Sequence, residues 1–182
     1  MTPFAPVFVL GITPRCGTNY LLELLCLQPD VERVSGLAED NLLFEAHLLS
    51  LYADLTARRW RAAWGLDVSR ARELLVRSLG DGIRHFLCQL HRQESGGDLS
   101  RRLVVKTPMV DNLDIFFRIL PESALVLVVR DGRDAAESAV RSFGWSYERA
   151  TPLWRDGARA VLGAKLANVL RARTGEHDAF AG

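Results

Sequence analysis

Val7-Phe8-Val9-Leu10-Gly11-Ile12-Thr13-Pro14-Arg15-Cys16-Gly17-Thr18-Asn19 is the stretch on which the fold turns. Val7 to Leu10 are apolar without a break, as in a strand buried on both faces, and Tyr20-Leu21-Leu22-Glu23-Leu24-Leu25 reads as a helix. Between them lies a glycine-bearing turn. Strand, turn, helix is the order an anion cradle requires, because the first amides of a helix have no internal partner and its dipole favours negative charge. Gly11 and Gly17 permit tight backbone geometry, and Arg15 adds a permanent charge with a forked donor. The loop is not a Walker A loop: Gly11 and Gly17 are six positions apart and no lysine follows.

Working outward, Pro29 and Asp30 end the first helix, Val31 to Ser35 can form a short second strand before Gly36, and Glu39 lies just beyond. From Leu42 to Leu90 the pattern is helical, with Leu74, Leu75, Leu79, Ile83, Phe86, Leu87 and Leu90 at three- and four-residue intervals. Trp60 and Trp64, one turn apart, read as a packing seam rather than a base-stacking platform. Arg92 to Asp98 reads as a surface loop. Strand signals return at Leu103-Val104-Val105-Lys106, stopped by Thr107-Pro108. A helix is expected over Asn112 to Leu120 and a continuous apolar strand over Ala124 to Val129. That strand runs into Arg130-Asp131-Gly132-Arg133-Asp134 and another helix, followed by a helical segment from Trp154 to Arg173 and a frayed tail, Thr174 to Gly182.

Apolar strands alternating with helices predict an α/β, P-loop-like three-layer fold with a parallel sheet flanked by helices. Ligands in such sheets collect at the carboxyl ends of the strands, where Arg15 to Thr18, Lys106-Thr107 and Arg130 all begin. Ser138 follows Arg130 by eight positions, and two helical turns rise about 11 to 12 Å, so it meets the strand end only if the chain folds back. Otherwise Asp131, Arg133 and Asp134 are capping charges and Ser138 a small packing residue.

A chain of 182 residues, 48% hydrophobic, can bury one sizeable core, so a single domain over 1–182 is expected. Its 23 basic and 22 acidic residues nearly cancel, which argues against nucleic acid or a membrane surface as the main partner and makes any anion site local. The amino terminus has neither a basic leader region nor the length of an anchor. Cys16, Cys26 and Cys88 have no metal-ligand spacing and fit free thiols in a reducing, cytoplasmic compartment. His47, His85, His91 and His177 are scattered, so no metal is expected. Only Lys106 and Lys165 are lysines, and Lys106 stands out inside an apolar strand. Cys16 lies where a helix N-terminus can lower a thiol pKa, yet no histidine is near it in sequence to suggest a cysteine nucleophile.

Two segments together carry a resemblance. Pro14-Arg15-Cys16-Gly17-Thr18-Asn19 after a strand resembles the 5'-phosphosulfate loop of the sulfotransferase family, with Cys16 standing where serine is common. Val128-Val129-Arg130-Asp131-Gly132-Arg133-Asp134 with Ser138 resembles that family's 3'-phosphate motif. The resemblance implies the donor 3'-phosphoadenosine 5'-phosphosulfate, with Arg15, Cys16, Gly17, Thr18 and Asn19 cradling the 5'-phosphosulfate and Arg130 and Ser138 holding the 3'-phosphate. Lys106-Thr107-Pro108 resembles the segment whose lysine approaches the donor's bridging oxygen. Pro29-Asp30-Val31 leading to Glu39 resembles the tyrosylprotein enzymes' run that ends in a glutamate base, which nominates Glu39; its plainer reading is an acid in the first turn of a helix.

The acceptor implied is a hydroxyl of a small molecule, carbohydrate, lipid or peptide. The motifs span Val7 to about Trp154, and the family's further strand and late glycine-rich loop are not found. A core lacking that part is expected to expose a sheet edge, which favours homo-oligomers. The alternatives are a nucleotide-binding or interaction protein that keeps the fold without the reaction, and a P-loop small-molecule kinase. The kinase lacks its lysine and an evident acidic magnesium ligand.

Overall fold

The computed structural model describes residues 5–96 and 99–173; the expected tail Thr174 to Gly182, with His177, and the Gly97-Asp98 end of the expected loop lie outside them. Four strands, β1 (Val7–Gly11), β2 (Val31–Arg33), β3 (Arg102–Thr107) and β4 (Ala124–Val128), form one sheet in the order β2-β3-β1-β4. Every pairing is parallel: Val9 faces Lys106 on one side of β1 and Val126 on the other. The chain therefore has the mixed α/β architecture expected, a parallel sheet with helices against it.

The continuous apolar runs explain the layering, since alternate residues of a strand face opposite sides. Val7, Val9 and Val104 pack with Leu22 of α1 (Thr18–Leu25). Phe8, Leu10, Leu103 and Val105 face the larger core with Val76, Leu87, Phe116 and Ile119. That side is built by α2 (Ala46–Trp64), α3 (Val68–Ser95), α4 (Phe116–Ile119) and α6 (Tyr147–Arg173), with α5 (Gly132–Phe143) leading out of β4. Phe8 and Phe116 meet edge to face, centroids 5.3 Å apart. β4 is an edge of this sheet, and Val129 just beyond it is exposed.

Four local expectations are corrected. Arg92 to Ser95 are the last turn of α3, because His91 is fully buried and anchors that turn: its Nδ1 accepts from the Ser35 amide at 3.3 Å, and left-handed Gly96 stops the helix. The buried line of α3 is Val76, Gly80, Leu87 and His91, which leaves Leu74 and Phe86 exposed. Asn112 to Leu120 is not one helix but a 3-10 turn, Leu113–Ile115, followed by the single turn of α4; Asn112 takes a left-handed conformation and Leu120 leaves the helical region before Pro121. Trp64 does not pack in a seam, because it ends α2 beside the left-handed Gly65 and is 69% exposed.

α6 lies against the turn that follows β1 at unusually close range. A Cβ on Gly157 would stand 1.8 Å from the Ile12 carbonyl oxygen, whereas one on Gly163 would meet nothing within 4 Å. Gly157→Ala is therefore expected to push α6 off the turn, cost about 1–3 kcal/mol and lower Tm by several degrees. Gly163→Ala should hold or raise stability, by up to about 1 kcal/mol from helix propensity. Thermal unfolding of the two variants beside the parent checks both signs.

Candidate functional site

At the carboxyl end of β1 the Ile12 amide donates to the Val128 carbonyl at 3.2 Å, which ties the turn to β4. Arg15 (φ 71°) and Gly17 (φ 103°) both take left-handed conformations. For arginine that conformation is uncommon, and such positions gather at ligand-binding turns. α1 starts immediately after Gly17 with no side chain capping it and no acid in its first turn, so its first amides are uncommitted to any carboxylate. A Cβ on Gly11 would lie 2.9 Å from the Thr18 methyl, so glycine is what lets the helix begin this close to the strand. Thr18 is buried, Gly17 and Asn19 are exposed, and Cys16 is buried beneath the turn. Burial pushes the Cys16 thiol above its ordinary value, outweighing the opposing hydrogen bonds and the Arg130 charge, so the expected depression by the helix end does not occur.

Ser138 meets the β1 turn rather than Arg130 itself. Arg15 Nε donates to Ser138 Oγ at 3.1 Å, and Arg130 Nη1 donates to the Arg15 carbonyl at 3.2 Å. The Arg15 guanidinium also lies 5.6 Å from the centre of the Phe143 ring. The turn after β1 is thus tied to the segment from Arg130 to Phe143, more than a hundred residues on. Among the described residues Arg15 has no carboxylate partner, and Arg130 has only Asp134, one helical turn on at 4.0 Å. Asp131 is a cap, its Oδ1 accepting from the Arg133 amide at 2.9 Å, and Arg133 pairs with it in full exposure. Trp154 was not singled out from the sequence as a site residue, yet its Nε1 donates to the Arg130 carbonyl at 2.9 Å while its indole covers Gly132. Its signal was weak: a lone tryptophan on a helix.

On the other side of β1, β3 delivers Lys106, whose Nζ donates to Glu39 Oε1 at 2.8 Å. The lysine is buried and its side chain only 8% exposed, against 40% for Glu39. An ammonium removed from water to that extent requires a counter-charge, and Glu39 supplies it. Glu39 lies in an irregular segment, not in the first turn of a helix. That segment is fastened to β3: the Asp40 amide donates to the Lys106 carbonyl at 3.1 Å and the Asn41 amide to Thr107 Oγ1 at 3.1 Å. Asn112 Nδ2 then holds the carbonyls of Leu43 and Phe44 at 2.7 and 2.8 Å. Asp40 and Asn112 escaped the sequence reading because their partners are backbone groups remote in sequence.

Across the sheet edge the order is therefore Lys106 with Glu39 on β3, the Arg15 turn on β1 and Arg130 with Ser138 beyond β4. The sequence model of the Sulfotransferase family matches residues 6–175. That is nearly the whole chain, so this protein belongs to the sulfotransferase family, and the match runs well past Trp154. The chemistry of that class is transfer of a sulfuryl group. No curated protein matches the sequence significantly. Among the described residues no helix is long and apolar enough to cross a membrane.

Asp40 is a buried acid beside this site. Its Oδ1 accepts from the Leu42 amide at 3.0 Å, its Oδ2 has no hydrogen-bond partner, and burial raises its pKa above the ordinary aspartate value. A carboxyl whose folded pKa is raised contributes stability fully below its unfolded pKa and loses it as pH rises through the folded one. Relative to Asp40→Asn, the parent chain should therefore lose stability as pH rises from about 4 toward neutrality. Urea unfolding of both proteins across that range checks this; parallel stability profiles would contradict it.

Proposed function

We propose that the chain transfers the sulfuryl group of 3'-phosphoadenosine 5'-phosphosulfate to an acceptor hydroxyl. One observation carries the reading: two arginines and a hydroxyl, Arg15, Arg130 and Ser138, converge beside an uncapped helix start, with no carboxylate on Arg15 among the described residues. Two like charges with only Asp134, at the 4.0 Å limit of an ion pair with Arg130, to offset them fit an anion with more than one charged group. In this reading Arg130 and Ser138 hold the 3'-phosphate. Arg15 and the backbone from Cys16 to Asn19 hold the 5'-phosphosulfate.

The donor supplies a sulfuryl group on a phosphate leaving group. The acceptor oxygen forms the new bond to sulfur as the bond from sulfur to the bridging oxygen breaks, and the hydroxyl proton must leave. Glu39 takes that proton as general base, and Lys106 stabilises the charge left on the bridging oxygen. Their contact supports these roles, because it sets a proton acceptor and a cation side by side on the strand next to the anion turn. In the resting pair each neutralises the other. Engagement of Lys106 by the donor would free the carboxylate as base. The arginines, the lysine and the helix amides supply the positive field this transfer uses.

Calorimetric titration with adenosine 3',5'-bisphosphate, the donor's product, tests the site. Binding should weaken about 10- to 150-fold in Arg130→Ala, the loss of a charge-assisted hydrogen-bonded contact, and excess ATP should not displace it. Glu39→Gln should keep that affinity and lower turnover about 100- to 10,000-fold. A folded chain that fails to bind the bisphosphate, or binds it equally well without Arg130, contradicts the reading.

A further inference from the structure

α2 buries its small residues and exposes its large ones. Ala46, Ala53 and Ala57 are its buried positions, each 1% exposed or less, whereas Leu48, Leu51, Tyr52 and Leu55 are between 49% and 59% exposed. Those four stand at i, i+3, i+4 and i+7, the spacing of a single helix face. With 3.6 residues to the turn, that face lies nearly opposite the alanine seam. The alanines let α2 pack on α3 and on the 3-10 turn at Leu113–Ile115, and the leucine row takes no part in the core. A surface helix ordinarily does the reverse, turning its large apolar side chains inward. Exposed leucines scattered singly are ordinary, but a continuous row of them marks a contact surface.

The charges at the two ends of the row say what covers it. Glu45 immediately precedes α2, its side chain is 74% exposed, and among the described residues its ion-pair partner is His47 alone, at 3.8 Å. Arg59 stands one turn beyond Leu55, is exposed, and forms no ion pair among the described residues. The two lie on the same flank of the helix, about 20 Å apart along its axis. An acid thus ends the row on one side and a base on the other, with the midpoint at Leu51 and Tyr52. A second copy turned about that midpoint runs antiparallel, which lays Leu51 on Tyr52, Leu48 on Leu55, and Glu45 beside the Arg59 of the other copy. The face is therefore its own complement, as a two-fold interface requires. A parallel copy would set acid on acid and base on base.

We propose that α2 is the contact face of a symmetric homodimer, in which the Leu48, Leu51, Tyr52 and Leu55 rows of two copies pack antiparallel and Glu45 pairs with Arg59 at each end. Tyr52 is the aromatic anchor at the centre, the residue type that interfaces favour there. The row is only about 10 Å long, so the contact belongs to the small, weak end of specific association and forms at micromolar concentrations or above. The interface is a helix face and not the exposed edge of the sheet. Arg15, Glu39, Lys106, Arg130 and Ser138 all lie outside α2, so the dimer contact is separate from the sheet-edge site.

Analytical ultracentrifugation of the full chain from about 1 to 200 µM tests this, with circular dichroism and thermal unfolding to show that each variant folds. The parent should pass from monomer to dimer across the range. Leu51→Lys, at an exposed position, should fold like the parent and stay monomeric, because it sets two ammonium groups together at the centre of the contact. Glu45→Arg and Arg59→Glu should each raise the dimer dissociation constant about 3- to 30-fold, since symmetry removes two exposed ion pairs at once. Glu45 caps α2 with no side-chain hydrogen bond, so its replacement costs the helix no cap. The doubly swapped chain should return to within about twofold of the parent, as coupled pairs do. A parent that stays monomeric throughout, including one whose row instead binds phosphatidylglycerol vesicles, overturns the proposal. So does a dimer that survives Leu51→Lys, or a double swap that fails to restore what the single swaps lose.

Discussion

A guanidinium laid on the backbone carbonyl of another arginine brings two charged residues to one place, and a folded chain keeps them there only when other contacts fix both. Here Arg130 donates to the carbonyl of Arg15, Arg15 donates to Ser138 and lies beside Phe143, and Trp154 clamps the Arg130 backbone. The rest of the structure serves this arrangement. β1 sits in the middle of the sheet so that its turn has β3 on one side and β4 on the other. Arg15 holds a left-handed backbone, and α6 closes on the turn through a glycine that leaves no room for a methyl group. Two arginines thus stand at one edge of a chain whose overall charge is only +1.

A second, separate arrangement stands on β3. Lys106 is buried deeply enough that its charge needs a fixed partner, and the partner arrives on a segment without regular structure. The backbone bonds from Asp40 and Asn41 to the end of β3, and the Asn112 amide behind Leu43 and Phe44, replace the regular structure that segment lacks. An acid and a cation in contact are inert together and reactive once separated, so a ligand that competes for the lysine also changes the acid.

Much of this was legible in the sequence because the strands are apolar without interruption. Val7 to Leu10, Leu103 to Val105 and Ala124 to Val128 have no alternative period, so the succession of strands along the chain and the positions of Arg15, Lys106 and Arg130 at their ends followed, though not the order of the strands in the sheet. What stayed hidden depends on tertiary contact. The meeting of Ser138 with Arg15 needs the direction in which α5 leaves β4, which spacing alone does not set. The break at Asn112 reflects a left-handed residue that binds two carbonyls of another segment, and α3 runs on past His91 because the imidazole finds a backbone donor in a buried place. Asp40 reads as one more surface acid until the fold encloses it. A cavity beneath α6 has no sequence signature, since its walls are mostly ordinary aliphatic residues assembled from three separate segments.

The central claim is that the two ends of one ligand are held by two different sets of side chains at the sheet edge. Phosphorus NMR of adenosine 3',5'-bisphosphate, saturating the parent chain and then Ser138→Ala, tests it at the level of single phosphates. The account predicts that both resonances shift with the parent, and that the variant returns the 3'-phosphate signal toward its free value while the 5'-phosphate stays shifted. Two signals that remain at their free values, or that respond alike to the loss of Ser138, would contradict it.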